Sequence, residues 1–167
     1  MAEKYKNYDF LIEESVSDIF LNVYQSIQIN AKNYDNSCIE LYSINGGGGF
    51  SLYLNDRFFY FNIDSETKRI SSFYGDLLLK KIKYRNIEYP DSFKKGILVL
   101  KTEDSLLNGS GNYIQFNDKE IIYDINKKIL CIGNINKNVE LYKIFDNCYI
   151  QLIEKKLKGI LISNITL

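Results

Sequence analysis

An internal repeat of two strand-like segments constrains the fold more than any other feature of this 167-residue chain. The segment GFSLYLNDRFFYFNID, at 49–64, aligns with GNYIQFNDKEIIYDIN, at 111–126, when the chain is shifted by 62 positions. Both copies follow glycines and carry apolar residues at alternate positions on either side of an Asn-Asp pair. Asn and Asp tolerate the positive φ angles of a two-residue hairpin turn. We therefore predict a duplicated β-hairpin, in repeat units of about 45–70 and 108–129.

The predicted turns determine which residues face the core. With Asn55-Asp56 as a two-residue turn, Phe50 lies opposite Phe61 and Leu52 lies opposite Phe59. The predicted core face carries Phe50, Leu52, Phe59, Phe61 and Ile63 in the first copy, and Ile114, Phe116, Ile121, Tyr123 and Ile125 in the second.

The opposite faces of the two hairpins combine tyrosines with polar side chains. This mixture is typical of protein–protein interfaces, in which aromatic residues are enriched. The alternative is that a second layer of structure covers the first copy, whereas the acidic residues predict that the second copy faces water. The candidate partner-binding residues are Tyr53, Tyr60, Tyr113, Gln115, Glu120 and Asp124.

The rest of the chain predicts one helix and many strands. In 11–28 the apolar residues recur at steps of three and four, which indicates a helix that packs on a sheet, with Asp9 as its N-cap. Short apolar runs separated by Asn, Asp and Gly follow, as in strands joined by tight turns. Strands are predicted at 38–44, 50–54, 57–63, 69–74, 77–84, 96–101, 112–117, 119–125, 128–133, 139–145, 147–153 and 159–165, with a short helix at 74–82 as an alternative. We predict an α+β fold, mostly antiparallel sheet, in a single domain at 1–167.

The glycine run NGGGGF, at 45–50, is not a phosphate-binding motif. The Walker pattern requires Gly-Lys-Ser/Thr after its loop, where this chain has Phe50-Ser51. The dinucleotide pattern requires a glycine where Leu52 stands and a helix where a strand is predicted. We interpret the run as a connector that enters a strand.

Composition argues against catalysis and against a resident cofactor. The chain has no histidine, which removes the commonest general base and the commonest metal ligand. Its three cysteines, Cys38, Cys131 and Cys148, are widely spaced and fit buried free thiols. No apolar run is long enough to span a bilayer, and the first ten residues lack the features of a signal peptide. We expect a cytoplasmic protein that is not an enzyme and binds no metal, cofactor or membrane.

A basic segment offers an alternative function. If LLLKKIKYR, at 77–85, is a strand, Lys81, Lys83 and Arg85 share a face near Tyr84, an arrangement that can hold single-stranded nucleic acid. Lysines also protect sheet edges from aggregation, and that interpretation is favoured on a chain of zero net charge. The preference for lysine over arginine argues in the same direction.

The glycine segment also carries a family resemblance. IELYSINGGGGF, at 39–50, is similar to the Asn-Gly-Gly segment of the SMI1/KNR4 superfamily, many of whose bacterial members are immunity proteins. In its composition the chain also resembles immunity proteins of contact-dependent inhibition and other polymorphic toxin systems. The resemblance implies a protein that binds and neutralises a cognate toxin, by expectation a nuclease. Residues 1–56 hold eight acidic and three basic residues, a net charge of −5 that would attract a basic nuclease.

Overall fold

The computed structural model describes residues 5–14, 23–26, 36–43, 49–54, 59–114, 116 and 120–167. These residues are mostly β-strand and form two mixed sheets. Sheet 1 runs, in spatial order, β1 (Tyr5–Lys6), β10 (Gly111–Ile114), β5 (Phe50–Leu54), β6 (Phe59–Ile63), β7 (Ile70–Leu78), β4 (Asn36–Ser43) and β3 (Val23–Ser26). Sheet 2 runs β2 (Asp9–Glu14), β9 (Phe93–Lys101), β13 (Leu141–Phe145), β14 (Cys148–Ile153), β15 (Lys156–Ile162), β12 (Ile129–Gly133), β11 (Ile121–Asp124) and β8 (Lys83–Tyr84).

The two sheets share one apolar core. Sheet 1 contributes buried side chains that include Leu52, Phe61 and Phe73, and sheet 2 contributes others such as Leu130 and Ile150. A second cluster on sheet 2, built from Ile87, Ile122, Ile129, Cys131, Leu141 and Leu161, packs separately from this core. Sheet 2 is therefore apolar on both faces, as its runs of consecutive buried residues require.

The prediction of an N-terminal helix is wrong for the part of 11–28 that the structure describes. Residues Asp9–Glu14 form β2, which pairs antiparallel with β9, and Val23–Ser26 form β3, which pairs with β4. Phe10 is buried and Leu11 is exposed, an alternation that suits a strand. Pairing with neighbouring strands gives the backbone N–H and C=O groups hydrogen-bond partners, which a helix would have to provide within itself. This pairing overrides the helical spacing of the apolar residues. Asp9 is no N-cap: it pairs with Lys156 at 2.5 Å, and that hydrogen bond lowers the pKa of its carboxyl group.

The first predicted hairpin is present, with a different register. Phe50 lies opposite Ile63 and Leu52 lies opposite Phe61, so the connection spans 55–58 and not two residues. A shift of two positions keeps every side chain on its predicted face. All five predicted core residues of this copy are accordingly buried. The short helix at 74–82 is replaced by the end of β7 and a 3₁₀ turn at Leu79–Lys81.

The second copy is not a hairpin, which corrects the predicted duplication. Its first strand, β10, pairs parallel with β5 in sheet 1, and its second strand, β11, pairs antiparallel with β12 in sheet 2. Local alternation specifies strands but not their partners: β10 pairs with β5, far away in sequence, and β11 pairs with the strand that follows it, not with β10. Ile125 consequently lies outside the core, with 65% of its surface exposed.

The same type of turn occurs in both sheets. Asp64, after β6, accepts hydrogen bonds from the backbone N–H groups of Glu66 and Thr67, and Lys68 has a φ of 60°. Asp124, the last residue of β11, accepts from the backbone N–H groups of residues 126 and 127, and residue 128 has a φ of 56°. The two turns correspond at an offset of 60 residues, whereas the sequence repeat aligns at 62 and places Asn62 on Asp124.

Glycines let β5 and β10 approach each other. The backbone N–H of Gly109 donates to the carbonyl of Gly49 at 3.1 Å, and that of Ser51 donates to Ser110 at 2.9 Å. A Cβ atom on Gly111 would lie 2.5 Å from the Ser51 carbonyl oxygen, which no other residue could avoid. The predicted connector at 45–48 itself lies outside the described residues.

Candidate functional site

The outer face of sheet 1 carries a row of four tyrosines on adjacent strands. Tyr113, Tyr53, Tyr60 and Tyr74 lie opposite one another in β10, β5, β6 and β7. Their ring centroids are separated by 5.2, 5.4 and 5.2 Å in that order. All four side chains are half-buried. We refer to these four residues as the tyrosine row.

The rings of the tyrosine row stack against one another. Their interplanar angles are 30°, 52° and 31°, which with these separations indicate tilted, offset contacts. Rings lying flat on the sheet could not approach so closely, because their edges would overlap. Tyr53 and Tyr60 each have a neighbouring ring on both sides. These contacts leave less of each ring face available for stacking with a base or a sugar.

A polar row runs beside the tyrosines on the same face. Ser51 Oγ donates to Asn62 Oδ1 at 3.2 Å, and Asn62 Nδ2 donates to Ser72 Oγ at 2.7 Å. These residues stand two positions from Tyr53, Tyr60 and Tyr74, and strand alternation places them on the same side. None of the described side chains in the two rows carries a charge. The surface is aromatic, polar and internally cross-linked by hydrogen bonds.

The structure brings together three of the six predicted partner-binding residues. Tyr53, Tyr60 and Tyr113 belong to the tyrosine row, and Gln115 lies outside the described residues. Sequence analysis missed Tyr74 because it lies at the end of a predicted strand to which no partner strand was assigned. The available signal was its position two residues after Ser72, because Ser72 and Tyr74 alternate with the buried residues Ser71 and Phe73.

Glu120 lies elsewhere, immediately before β11 in sheet 2. Its carboxylate accepts from Lys83 Nζ at 2.6 Å and from Arg85 Nη2 at 2.5 Å. The hydrogen bond from Lys83, with the charge of Arg85, lowers the pKa of this carboxyl group. Two of the cations proposed for nucleic-acid binding are therefore already paired with an acid.

Asp124 is buried, and the expectation that it faces water is wrong. Only 3% of its surface is exposed, because the segment around Ile87 lies over it. Its Oδ2 accepts from the backbone N–H of Ile87 at 2.9 Å, and Lys127 Nζ donates to the Ile87 carbonyl at 2.6 Å. Burial raises the pKa of Asp124, but the hydrogen bonds and Lys127 outweigh it and the pKa is lowered. A side chain so enclosed holds the fold together and offers no surface to a partner.

The segment at 85–88 also borders a cleft on the outer face of sheet 2. The floor contains Ile122 and Cys131, and the far wall is formed by 133–135. The Cys131 thiol is buried and donates to the Gly133 carbonyl at 3.7 Å. Cys148 is buried in the main core, and burial raises its pKa. Both thiols are free, as predicted; the side chain of Cys38 lies outside the described part.

No protein-family profile matches the chain, and no curated protein is significantly similar to it. Within the described residues, no three His, Cys, Asp or Glu side chains are grouped so as to hold a metal ion. In the same part of the chain, no helix has the length and apolar character that crossing a bilayer requires.

Proposed function

We propose that this protein is an immunity protein that binds and neutralises a cognate bacterial toxin, by expectation a nuclease, through the tyrosine row. The observation that carries the proposal is the continuous row of four half-exposed tyrosines on one sheet face. Tyrosine is enriched among the residues that dominate binding energy, because it provides a large contact area with few rotatable bonds.

The arrangement of the row favours a protein partner. Each ring is held by its neighbours, so little side-chain entropy remains to be lost on binding. The adjacent Ser51, Asn62 and Ser72 supply hydrogen-bonding groups to a polar surface. A sheet face of this kind matches the aromatic and uncharged centre of a protein–protein interface.

The second candidate, a single-stranded nucleic-acid binder, has less support. Such proteins combine free aromatic faces with cations that contact phosphates. The central rings of the tyrosine row contact a neighbouring ring on each side, and the described side chains of the polar row beside them are uncharged. The basic residues Lys83 and Arg85 lie on sheet 2, where Glu120 pairs with both.

Neutralisation of a toxin tests the proposal. The protein encoded by the adjacent open reading frame is expressed in cells with wild-type protein or with Tyr60→Ala. We expect wild-type protein to restore growth and the variant to fail while remaining folded by circular dichroism. The matched control is Tyr149→Ala, which removes a half-buried tyrosine from sheet 2 that also contacts a neighbouring ring. Toxicity that wild-type protein does not relieve contradicts the function, and equal protection by both variants contradicts the assigned surface.

A further inference from the structure

We infer a second interaction surface: residues 83–88, at the border of sheet 2, bind an extended acidic segment of a protein as an added β-strand. This surface lies on the other sheet from the tyrosine row, and the inference does not depend on the proposed function. We refer to residues 83–88 as the edge segment.

The edge segment is fixed along its inner side. Its first two residues form β8, the last strand of sheet 2, parallel to β11. The backbone N–H of Arg85 continues this pairing by donating to the carbonyl of Tyr123 at 3.3 Å. At the end of β11, side chains replace backbone partners: Asp124 binds the N–H of Ile87, and Lys127 binds its carbonyl. These contacts hold the inner side of the segment in place before any partner arrives.

The outer side of the edge segment presents backbone groups. In a parallel pair, residues that bond to the neighbouring strand alternate with residues whose N–H and C=O point away. Because Arg85 and Ile87 bond inward, the backbone groups of Asn86 and Glu88 point outward. Among the described residues, neither makes a backbone hydrogen bond. β8 and the ordered residues that continue it therefore offer one unpaired backbone side, which is the requirement for strand addition.

Charge and side-chain direction specify the occupant. Lys83 and Arg85 point to one face of sheet 2, where Glu120 offsets only one of their two charges, and exposed Lys80 and Lys81 stand nearby in sequence. On the other face Tyr84 contacts Tyr123 edge-on and remains 60% exposed. An added strand would place alternate residues against each face. The fitting partner alternates acidic residues, beside the cations, with apolar residues, beside Tyr84.

This inference is tested by comparing peptide binding to the wild-type protein with binding to a variant that lacks one outward backbone N–H. The probe is a short fluorescent peptide of alternating glutamate and valine, and its control replaces glutamate with lysine. Asn86→Pro removes the outward N–H and leaves the inward bonds of Arg85 and Ile87 intact. Its matched control, Asn86→Ser, keeps the N–H. We expect the proline variant to bind about tenfold more weakly, the effect of losing one backbone hydrogen bond, and the serine variant to bind as wild type.

Amide exchange provides an independent readout. On binding the glutamate peptide, the amide protons of Asn86 and Glu88 should exchange more slowly, while that of Ile87 is already protected. Four results would overturn the inference: no binding of the glutamate peptide, equal binding of both peptides, unchanged binding by Asn86→Pro, or tighter binding of a single-stranded oligothymidylate. With no peptide binding, the lysines would serve only to keep this border unpaired.

Discussion

Replacing Asp124 by asparagine should destabilise the fold far more than the same replacement at Asp64, although the two aspartates form the same turn. Both accept hydrogen bonds from the backbone N–H groups two and three residues later. Only Asp124 also binds the N–H of Ile87, and only Asp124 is buried. In the Asp124→Asn variant, one side-chain oxygen can still serve the turn, but an NH₂ group then faces the N–H of Ile87.

The magnitude follows from these contacts. Losing a hydrogen bond to a charged acceptor and leaving a buried N–H unsatisfied should together cost about 3 kcal/mol. For a chain of this length, that loss corresponds to a decrease in Tm of about 6–12 °C. Asp64→Asn keeps an acceptor for an exposed turn and should cost about 1 kcal/mol or less.

Urea denaturation followed by circular dichroism measures both losses, with Tm as a second readout. The reasoning is refuted if the two variants lose equal stability, because the contact with Ile87 would then contribute nothing. Exchange of the Ile87 amide proton should accelerate in Asp124→Asn and stay unchanged in Asp64→Asn.

Further predictions concern acid, packing and thiol reactivity. Because the pKa of Asp124 is lowered in the folded protein, its contribution to stability is complete above about pH 5 and is lost below about pH 4. On acid titration, the free energy of unfolding should therefore fall less steeply in Asp124→Asn than in the wild-type protein. Gly111→Ala should cost about 1–3 kcal/mol in urea denaturation, since its Cβ would overlap the Ser51 carbonyl and the Tyr53 ring, and unchanged stability would contradict the close approach of β5 and β10. Cys131 and Cys148 should resist alkylation in the folded protein and react in urea, as peptide mapping by mass spectrometry would reveal; rapid labelling of either without urea would contradict their burial.

Alternation along the chain was sufficient to predict strands but not their partners. The period-two pattern of Phe50 to Ile63 predicted both strands and the buried face of the first hairpin correctly. The same pattern in 111–126 could not reveal that β10 and β11 belong to different sheets, because β10 pairs with the distant β5 and β11 pairs with β12, the strand that follows it. In 9–14, spacing compatible with a helix was overridden by pairing with β9.

For the candidate site, too, the sequence predicted which residues face outward but not which strands bring them together. Alternation alone placed Tyr53, Tyr60 and Tyr113 opposite the core, and the register then aligned them. Tyr74 joined them through the pairing of β6 with β7; its alternation with Phe73 indicated the outer face, but nothing in the sequence indicated the partner strand. Aspartate is usually found at the protein surface. Asp124 is buried because the segment around Ile87, 37 residues earlier in the chain, packs over its carboxylate.

The most direct test of the central proposal is the affinity of the tyrosine row for the protein encoded by the adjacent open reading frame. Isothermal titration calorimetry should give a dissociation constant for Tyr60→Ala at least about 30-fold above that of wild type, the loss expected of a residue that dominates binding. Tyr149→Ala should change the constant less than about threefold. An affinity that Tyr60→Ala leaves unchanged, or a wild-type protein that does not bind this neighbour at all, would contradict the account.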